Sequence, residues 1–209
     1  MYAYEGLGSI YWHMVSKLLL AALESFQKGL EQNCDSVTMG RLADCYFDIR
    51  SGIGFNKTPD NYGAFPTDPY SHTPGFAGAK QPGMTGQVKE EVISRLQELG
   101  VSVVKGSVTF NPFILRKSEF LSGSDTLVYF DINGEQKSLP LEAGQLGFTY
   151  CQVPVIYSLA EQTSIELRFA DGSSETISGN SIDADLSVAI FDKKGTISSI
   201  LVALQPGLE

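Results

Sequence analysis

The stretch from residue 52 to residue 87 most constrains how this chain can fold, because it suits neither helix, strand nor flexible linker. It holds seven of the 21 glycines and five of the nine prolines, and these residues prevent long regular elements. It also holds five aromatic residues, whereas disordered segments are poor in them. An ordered loop of this length is commonly functional. We therefore expect residues 52–87 to contribute directly to the function.

The composition is that of an ordinary globular protein. The 209 residues can form one large or two small domains, and a hydrophobic content of 43% is enough for a real core. The formal net charge of −9 argues against nucleic-acid binding, because phosphate backbones require a basic surface. Neutral ligands or cations suit such a chain better.

The cysteines and the first residues indicate the compartment. Three cysteines with no CxxC spacing predict buried or free thiols in a reducing environment, without a disulfide framework or zinc site. Glu5 precedes the first apolar run, and no positively charged segment comes before it, so no export signal is expected. That run, residues 10–23, is too short to span a bilayer. We expect a cytoplasmic protein with no membrane partner.

The first hundred residues carry helical periodicity. Helices are predicted at residues 9–30, 37–49 and 85–99, the second capped by Asp35 or Ser36. Eleven of the fourteen residues from 10 to 23 are apolar or aromatic, and a helix apolar on nearly every side must be covered on nearly every side. A second copy of the chain or a larger helical body could cover it.

After Gly100 the apolar period changes from 3.6 to 2. Asn133-Gly134 and Asp171-Gly172 are strong hairpin signals. Pro154 predicts an edge or a bulge in its strand. The expected fold class is α+β, with a helical segment at residues 1–99 and an antiparallel β-sandwich at residues 100–209. The predicted strands cover residues 101–104, 107–115, 127–132, 148–159, 165–170, 174–178, 186–191 and 196–203.

Two groups of residues combine aromatic rings with polar groups, as sugar recognition requires. The first comprises Glu5, Trp12 and His13, for which ordinary core packing is the alternative. The second lies in the loop, whose rings could instead simply hold the loop to the domain surface. The candidate substrate-binding residues are Trp12, His13, Tyr62, Tyr70, His72, Gln81 and Gln87.

Catalysis of glycoside hydrolysis usually needs two placed carboxyl groups. Glu5, Asp60 and Asp68 are the candidates, although the sequence does not show that any two of them converge. No HExxH, GxSxG or Walker motif occurs, and Gly6-Leu7-Gly8 lacks the preceding strand that a dinucleotide site needs. We expect neither a metal nor another cofactor.

Three phrases carry a family resemblance: GSIYWHMVSKLLLAALE, YGAFPTDPYSHTP and QPGMTGQVKEE. Over residues 2–120 the chain resembles the C-terminal part of large bacterial carbohydrate-active proteins of the cellobiose-phosphorylase and (α/α)₆-barrel glycosidase group. The resemblance implies a toroid of paired helices, a β-domain beside it and an oligo- or polysaccharide partner. It transfers no catalytic residue.

The resemblance also leaves the activity open, because three helices cannot close a toroid of six helix pairs. The chain would then be the last portion of a longer polypeptide or a shortened relative, and hydrolysis and phosphorolysis both fit. A non-catalytic carbohydrate-binding or protein-interaction module is an alternative. A truncated remnant without independent activity is another.

Overall fold

The computed structural model describes residues 7–53 and 85–205, with the side chains of residues 14–51 and 90–205. The fold is mixed α+β, and the chain divides into two compact units, a helical unit at Met1–Arg95 and a β unit at Leu96–Glu209. The sequence-based division lay between residues 99 and 100. The described helices are α1 (Leu7–Glu31), α2 (Ser36–Ile53), α3 (Thr85–Glu98) and α4 (Ala184–Phe191). The described strands are β1 (Val101–Val104), β2 (Ser107–Phe110), β3 (Asp125–Phe130), β4 (Gln136–Leu141), β5 (Gln145–Tyr150), β6 (Val153–Leu159), β7 (Ser164–Phe169), β8 (Ser174–Ser178) and β9 (Ile197–Leu204).

In the helical unit, α1 and α2 form a pair joined by a short turn. Asp35 caps α2, because its Oδ1 accepts hydrogen bonds from the amides of Val37 and Thr38, both at 3.0 Å. Leu19, Leu23 and Phe26 lie at helical spacing on α1 and are buried with Met39 and Tyr46 of α2.

Another side of α1 is exposed where its side chains are described. Met14 is 64% exposed and Leu18, one turn later, is 53% exposed. These side chains form an apolar strip at the surface, which a second copy of the chain or a larger helical body would cover, as the sequence predicts.

The β unit is built on a five-stranded sheet in the order β5-β6-β9-β7-β8. Its pairs are antiparallel except β6 and β9, which run parallel and depart from the expected antiparallel arrangement. The buried side chains of β6, β7 and β9 form the core, with Val108 and Phe110 of β2 and Ile190 of α4. The hairpins β1–β2 and β3–β4 are separate two-stranded sheets.

The strand region predicted at residues 148–159 is divided between β5 and β6, because the chain turns back at Cys151-Gln152 and not at Pro154. Both residues have positive φ, 49° and 66°, as the two central residues of a type I′ turn require. Glycine and asparagine, the usual signals for this turn, are absent from both positions. Pro154 pairs with Thr149 of β5. Pairing between β6 and β9 begins at the next residue, Val155, so the missing N–H of Pro154 breaks no hydrogen bond to β9.

The predicted strand at residues 186–191 is wrong, because this segment is helix α4. Asp183 caps the helix by accepting a hydrogen bond from the amide of Leu186 at 2.8 Å. Ser187 and Ile190, three positions apart, are both buried. The apolar run at these positions therefore follows a helical stripe and not a strand alternation.

Ser187 ties α4 to the edge of β2. Its Oγ accepts a hydrogen bond from the amide of Val108 at 2.9 Å and donates one to the carbonyl of Asp183 at 2.6 Å. The amide of Ile182 donates to the carbonyl of Val108, so β2 is paired along this edge without another strand. The hydroxyl of Ser187 thus takes the place of a strand partner.

The connection from α3 to β1 is equally constrained. Gly100 has a φ of +69°, and its carbonyl accepts a hydrogen bond from the amide of Asn111. A Cβ at this position would lie 2.1 Å from the backbone nitrogen of Pro112. The Oη of Tyr157 donates to the carbonyl of Leu99 at 2.6 Å and so satisfies a carbonyl at the end of the helix.

We predict that Gly100→Ala destabilises the protein by at least about 3 kcal/mol, because the added Cβ meets backbone atoms that cannot rotate away. Gly134→Ala is the matched control, since its φ of +77° is similar but nothing lies within 4 Å of the added Cβ. Gly134→Ala should lower the free energy of unfolding by about 1 kcal/mol, because alanine is strained in the left-handed backbone conformation. Urea unfolding of both variants measures the difference, and equal losses would contradict the steric account.

We predict that Ser187→Ala lowers the free energy of unfolding by about 1–3 kcal/mol, because it leaves the amide of Val108 buried without its acceptor. Ser174→Ala, at an exposed position on β8, should change stability by less than about 0.5 kcal/mol. Denaturant unfolding checks both. A Ser187→Ala variant as stable as the control would show that this bond is unimportant.

Candidate functional site

The residues predicted to form the sugar site lie outside the part of the chain whose side chains are described. Trp12 and His13 fall on α1 and Gln87 falls on α3, but their side chains are among those left undescribed. Their roles stay predictions. The other candidates lie outside the described residues altogether: Glu5, Asp60, Tyr62, Asp68, Tyr70, His72 and Gln81.

The described residues offer a second site, at one end of the β unit, where three turns meet. These are the β3–β4 turn, the β5–β6 turn and the turn that joins α4 to β9. Gln152 connects all three, because its Nε2 donates to the carbonyl of Asp131 at 2.8 Å and its Oε1 accepts from Lys193 Nζ at 2.7 Å. The three turns are therefore held together by one side-chain amide.

A close approach supports the same arrangement. Gly195 has positive φ, and a Cβ there would lie 2.8 Å from the Cδ1 of Ile132. Farther along the hairpin, a Cβ on Gly147 of β5 would lie 2.7 Å from Leu141 and 3.3 Å from Leu127. Glycine at these two positions lets the β3–β4 hairpin lie close to β5 and to the turn that joins α4 to β9.

Asp131 organises the β3–β4 turn. Its Oδ1 accepts hydrogen bonds from the amides of Asn133 at 2.9 Å and Glu135 at 3.0 Å. Burial acts to raise the pKa of Asp131, but these hydrogen bonds and the nearby Lys137 ammonium outweigh it, so the pKa lies below its ordinary value of 3.8. The carboxylate is therefore charged at neutral pH and fixed in direction.

The hairpin and the starts of β6 and β9 enclose a groove of about 530 Å³, which we call the turn groove. This volume lies within the range of ~300–1,000 Å³ found for small-molecule sites. Among the described residues, the lining side chains of Tyr129 and Asn133 make no hydrogen bond to the protein.

The charges in the turn groove compensate one another. Lys137 Nζ lies 2.6 Å from a carboxylate oxygen of Glu135 and 3.7 Å from one of Asp131. The hydrogen bond from Lys137 to Glu135 is the largest cause of the raised pKa of Lys137. The groove therefore presents phenol and amide groups beside a paired ammonium, with no excess of positive charge.

Over residues 7–53 and 85–205, no group of three or more His, Cys, Asp or Glu side chains could hold a metal ion. Cys34, Cys45 and Cys151 are unpaired thiols. No helix in the described segments is long and apolar enough to cross a membrane.

No motif in the sequence indicated the turn groove, although Asn133-Gly134 marked the turn between β3 and β4. Asn133-Gly134 predicted the β3–β4 hairpin correctly. The contribution of Gln152 was hidden, because its turn lies inside a run that resembles one strand. Its partners Asp131 and Lys193 are 21 and 41 residues away along the chain.

Comparison with known proteins assigns no family. A scan against models of known protein families finds no match, and a search of curated proteins finds none with significant similarity.

We predict that Asp131→Asn makes stability less dependent on pH. Because the pKa of Asp131 is lower in the folded than in the unfolded state, its carboxylate stabilises the fold at neutral pH, and this contribution is lost as pH falls below about 4. The asparagine oxygen can still accept the two amides but does not titrate in this range. Urea midpoints at about pH 7 and pH 3 should therefore differ less for the variant. An Asp131 carboxyl that titrates by NMR at or above its ordinary value would contradict this.

Proposed function

We propose that this chain is the C-terminal portion of a carbohydrate-active enzyme of glycoside-hydrolase or phosphorylase type. In this proposal the loop at residues 52–87 supplies residues to a glycan site. The observation that carries the proposal is the loop's composition, in which aromatic rings alternate with glycines and with amide and carboxylate groups. Rings cover the C–H faces of a sugar, while planar polar groups bind its hydroxyls.

The secondary structure on either side of the loop supports this proposal. Helix α2 ends at Ile53 and α3 begins at Thr85, so the loop joins two helices of the helical unit. In the resembling proteins, a toroid of paired helices carries the active site. We propose that α1, α2 and α3 are part of such an α/α toroid and that further helices, or a second copy of the chain, cover Met14 and Leu18.

We propose that the β unit is a β-sandwich. The contact of Leu127 and Leu141 with Gly147 supports it, since these side chains of one hairpin lie on a strand of the five-stranded sheet. The helical unit and the β unit then correspond to the toroid and the β-domain of the resembling group.

A second candidate is a non-catalytic carbohydrate-binding or protein-interaction module. The turn groove favours it, because this groove lies wholly within the β unit and presents uncharged hydrogen-bonding groups. In this reading the helical unit would have no catalytic role.

We predict that the full chain binds at least one oligosaccharide of a panel of β-1,4-, α-1,4- and β-1,3-linked glucans and xylans. Tyr70→Ala and Asp68→Asn should each weaken binding by at least about tenfold, since each removes a ring or a charged acceptor from the site. Isothermal titration calorimetry measures the Kd. Phe130→Ala, which removes an exposed ring from β3, is the control and should leave the Kd unchanged. The absence of heat with every glycan, or unchanged binding in both loop variants, would refute the proposal.

A further inference from the structure

We propose that the turn groove of the β unit is a second binding site, distinct from the loop at residues 52–87, for a neutral, hydroxyl-rich ligand the size of a short oligosaccharide. The chemistry of the groove identifies a neutral polyol. The choice of an oligosaccharide among polyols rests on the proposed function.

The pairing of β3 with β4 fixes which side chains face the groove. Tyr129 lies opposite Lys137 in the register and lines the groove, whereas Phe130, the next residue, lies opposite Gln136. Successive side chains of a strand point to opposite faces. Phe130 does not line the groove and is 60% exposed. The hairpin therefore carries one aromatic ring toward the groove and one away from it.

The hydrogen-bonding groups of the groove are available to a ligand. The side chains of Tyr129 and Asn133 make no hydrogen bond with any other residue that the structure describes. Gln136 and Ser138 lie opposite Phe130 and Val128 in the register, so their side chains share the face that points away from the groove. Tyr129 and Asn133 together offer a phenol and a primary amide. Each of these groups can donate and accept, as sugar hydroxyls also can, so the two sets are complementary.

The charge of the groove excludes other ligand classes. Lys137 is held by Glu135 and Asp131, so it offers no unpaired cation to a phosphate or carboxylate. The Oδ1 of Asp131 already accepts two backbone amides, which leaves its other oxygen to face Lys137. A charged ligand would compete with these solvent-exposed pairs, whereas a neutral polyol leaves them intact.

The frame of the groove is rigid before any ligand binds. Gln152 joins the three turns through hydrogen bonds of 2.8 and 2.7 Å, and Ile132 lies against Gly195. Because these contacts are internal to the protein, the positions of Tyr129 and Asn133 do not depend on a partner. A preformed frame lowers the ordering cost of binding.

The test is a titration of the uniformly ¹⁵N-labelled full chain with cellotetraose, xylotetraose and maltotetraose, followed by NMR amide shifts. We expect shifts to cluster in the turns that contain Asp131, Gln152 and Gly195. Tyr129→Ala should weaken this binding by at least about tenfold, because it removes the ring that covers the sugar face. Phe130→Ala is the matched control, with the neighbouring ring removed from the opposite face, and should change the Kd by less than about twofold.

Two further variants keep the test decisive if Tyr129→Ala fails to fold. Asn133 is exposed, so Asn133→Ala should fold normally and weaken binding, while Tyr129→Phe keeps the ring and should retain most of it. Unchanged binding in both Tyr129→Ala and Asn133→Ala would overturn the inference.

The location of the shifts separates this inference from the proposed function. Shifts confined to residues 52–87 would overturn the proposal that the groove binds the sugar and would leave the loop proposal intact. Shifts confined to the groove would support this inference and count against the loop. With no shift from any of the three sugars, the groove proposal falls, and the calorimetric panel decides the loop proposal separately.

Discussion

The β unit depends on one buried hydrogen bond, from the hydroxyl of Tyr157 to the carbonyl of Leu99 at 2.6 Å. The Tyr157 ring is fully buried and meets Phe110 and Phe148 edge to face, with centroid distances of 6.0 and 5.0 Å. Burial raises the pKa of this phenol, so it remains a hydrogen-bond donor at neutral pH. A residue of β6 therefore satisfies the carbonyl at the end of the preceding helix.

This constraint extends to the groove through the sheet. Tyr157 lies on β6, which pairs with both β5 and β9. The turn before β6 contains Gln152, and the turn before β9 contains Gly195. Because β6 and β9 run parallel and are adjacent, their first residues lie at the same end of the sheet. The β3–β4 hairpin reaches this end through the contact of Leu141 with Gly147. The groove is thus a consequence of one parallel pair in a sheet otherwise built from antiparallel pairs.

Local sequence signals predicted the helices and turns whose formation depends on residues close together in the chain. The three long helices appear near their predicted positions because their apolar stripes repeat at helical spacing and Asp35 and Gly100 mark two of their ends. The Asn133-Gly134 and Asp171-Gly172 turns also form. The failures have distant causes. The turn at Cys151-Gln152 is imposed on residues that seldom adopt positive φ, and α4 is selected by the burial of Ser187 against β2, 79 positions away.

The same contrast applies to function. The loop at residues 52–87 was singled out by composition, which is a property of neighbouring residues. The groove depends on Asp131, Gln152 and Gly195 meeting, and each of these residues is unremarkable in its own stretch of sequence. Its polar groups are also mostly uncharged, so no charge cluster marks it. A site that recognises a ligand through neutral hydrogen bonds on a rigid frame depends on the strand pairing that brings its residues together, and no sequence motif marks it. A chain of this kind can therefore carry one site that is visible in its composition and another that appears only once the sheet order is known.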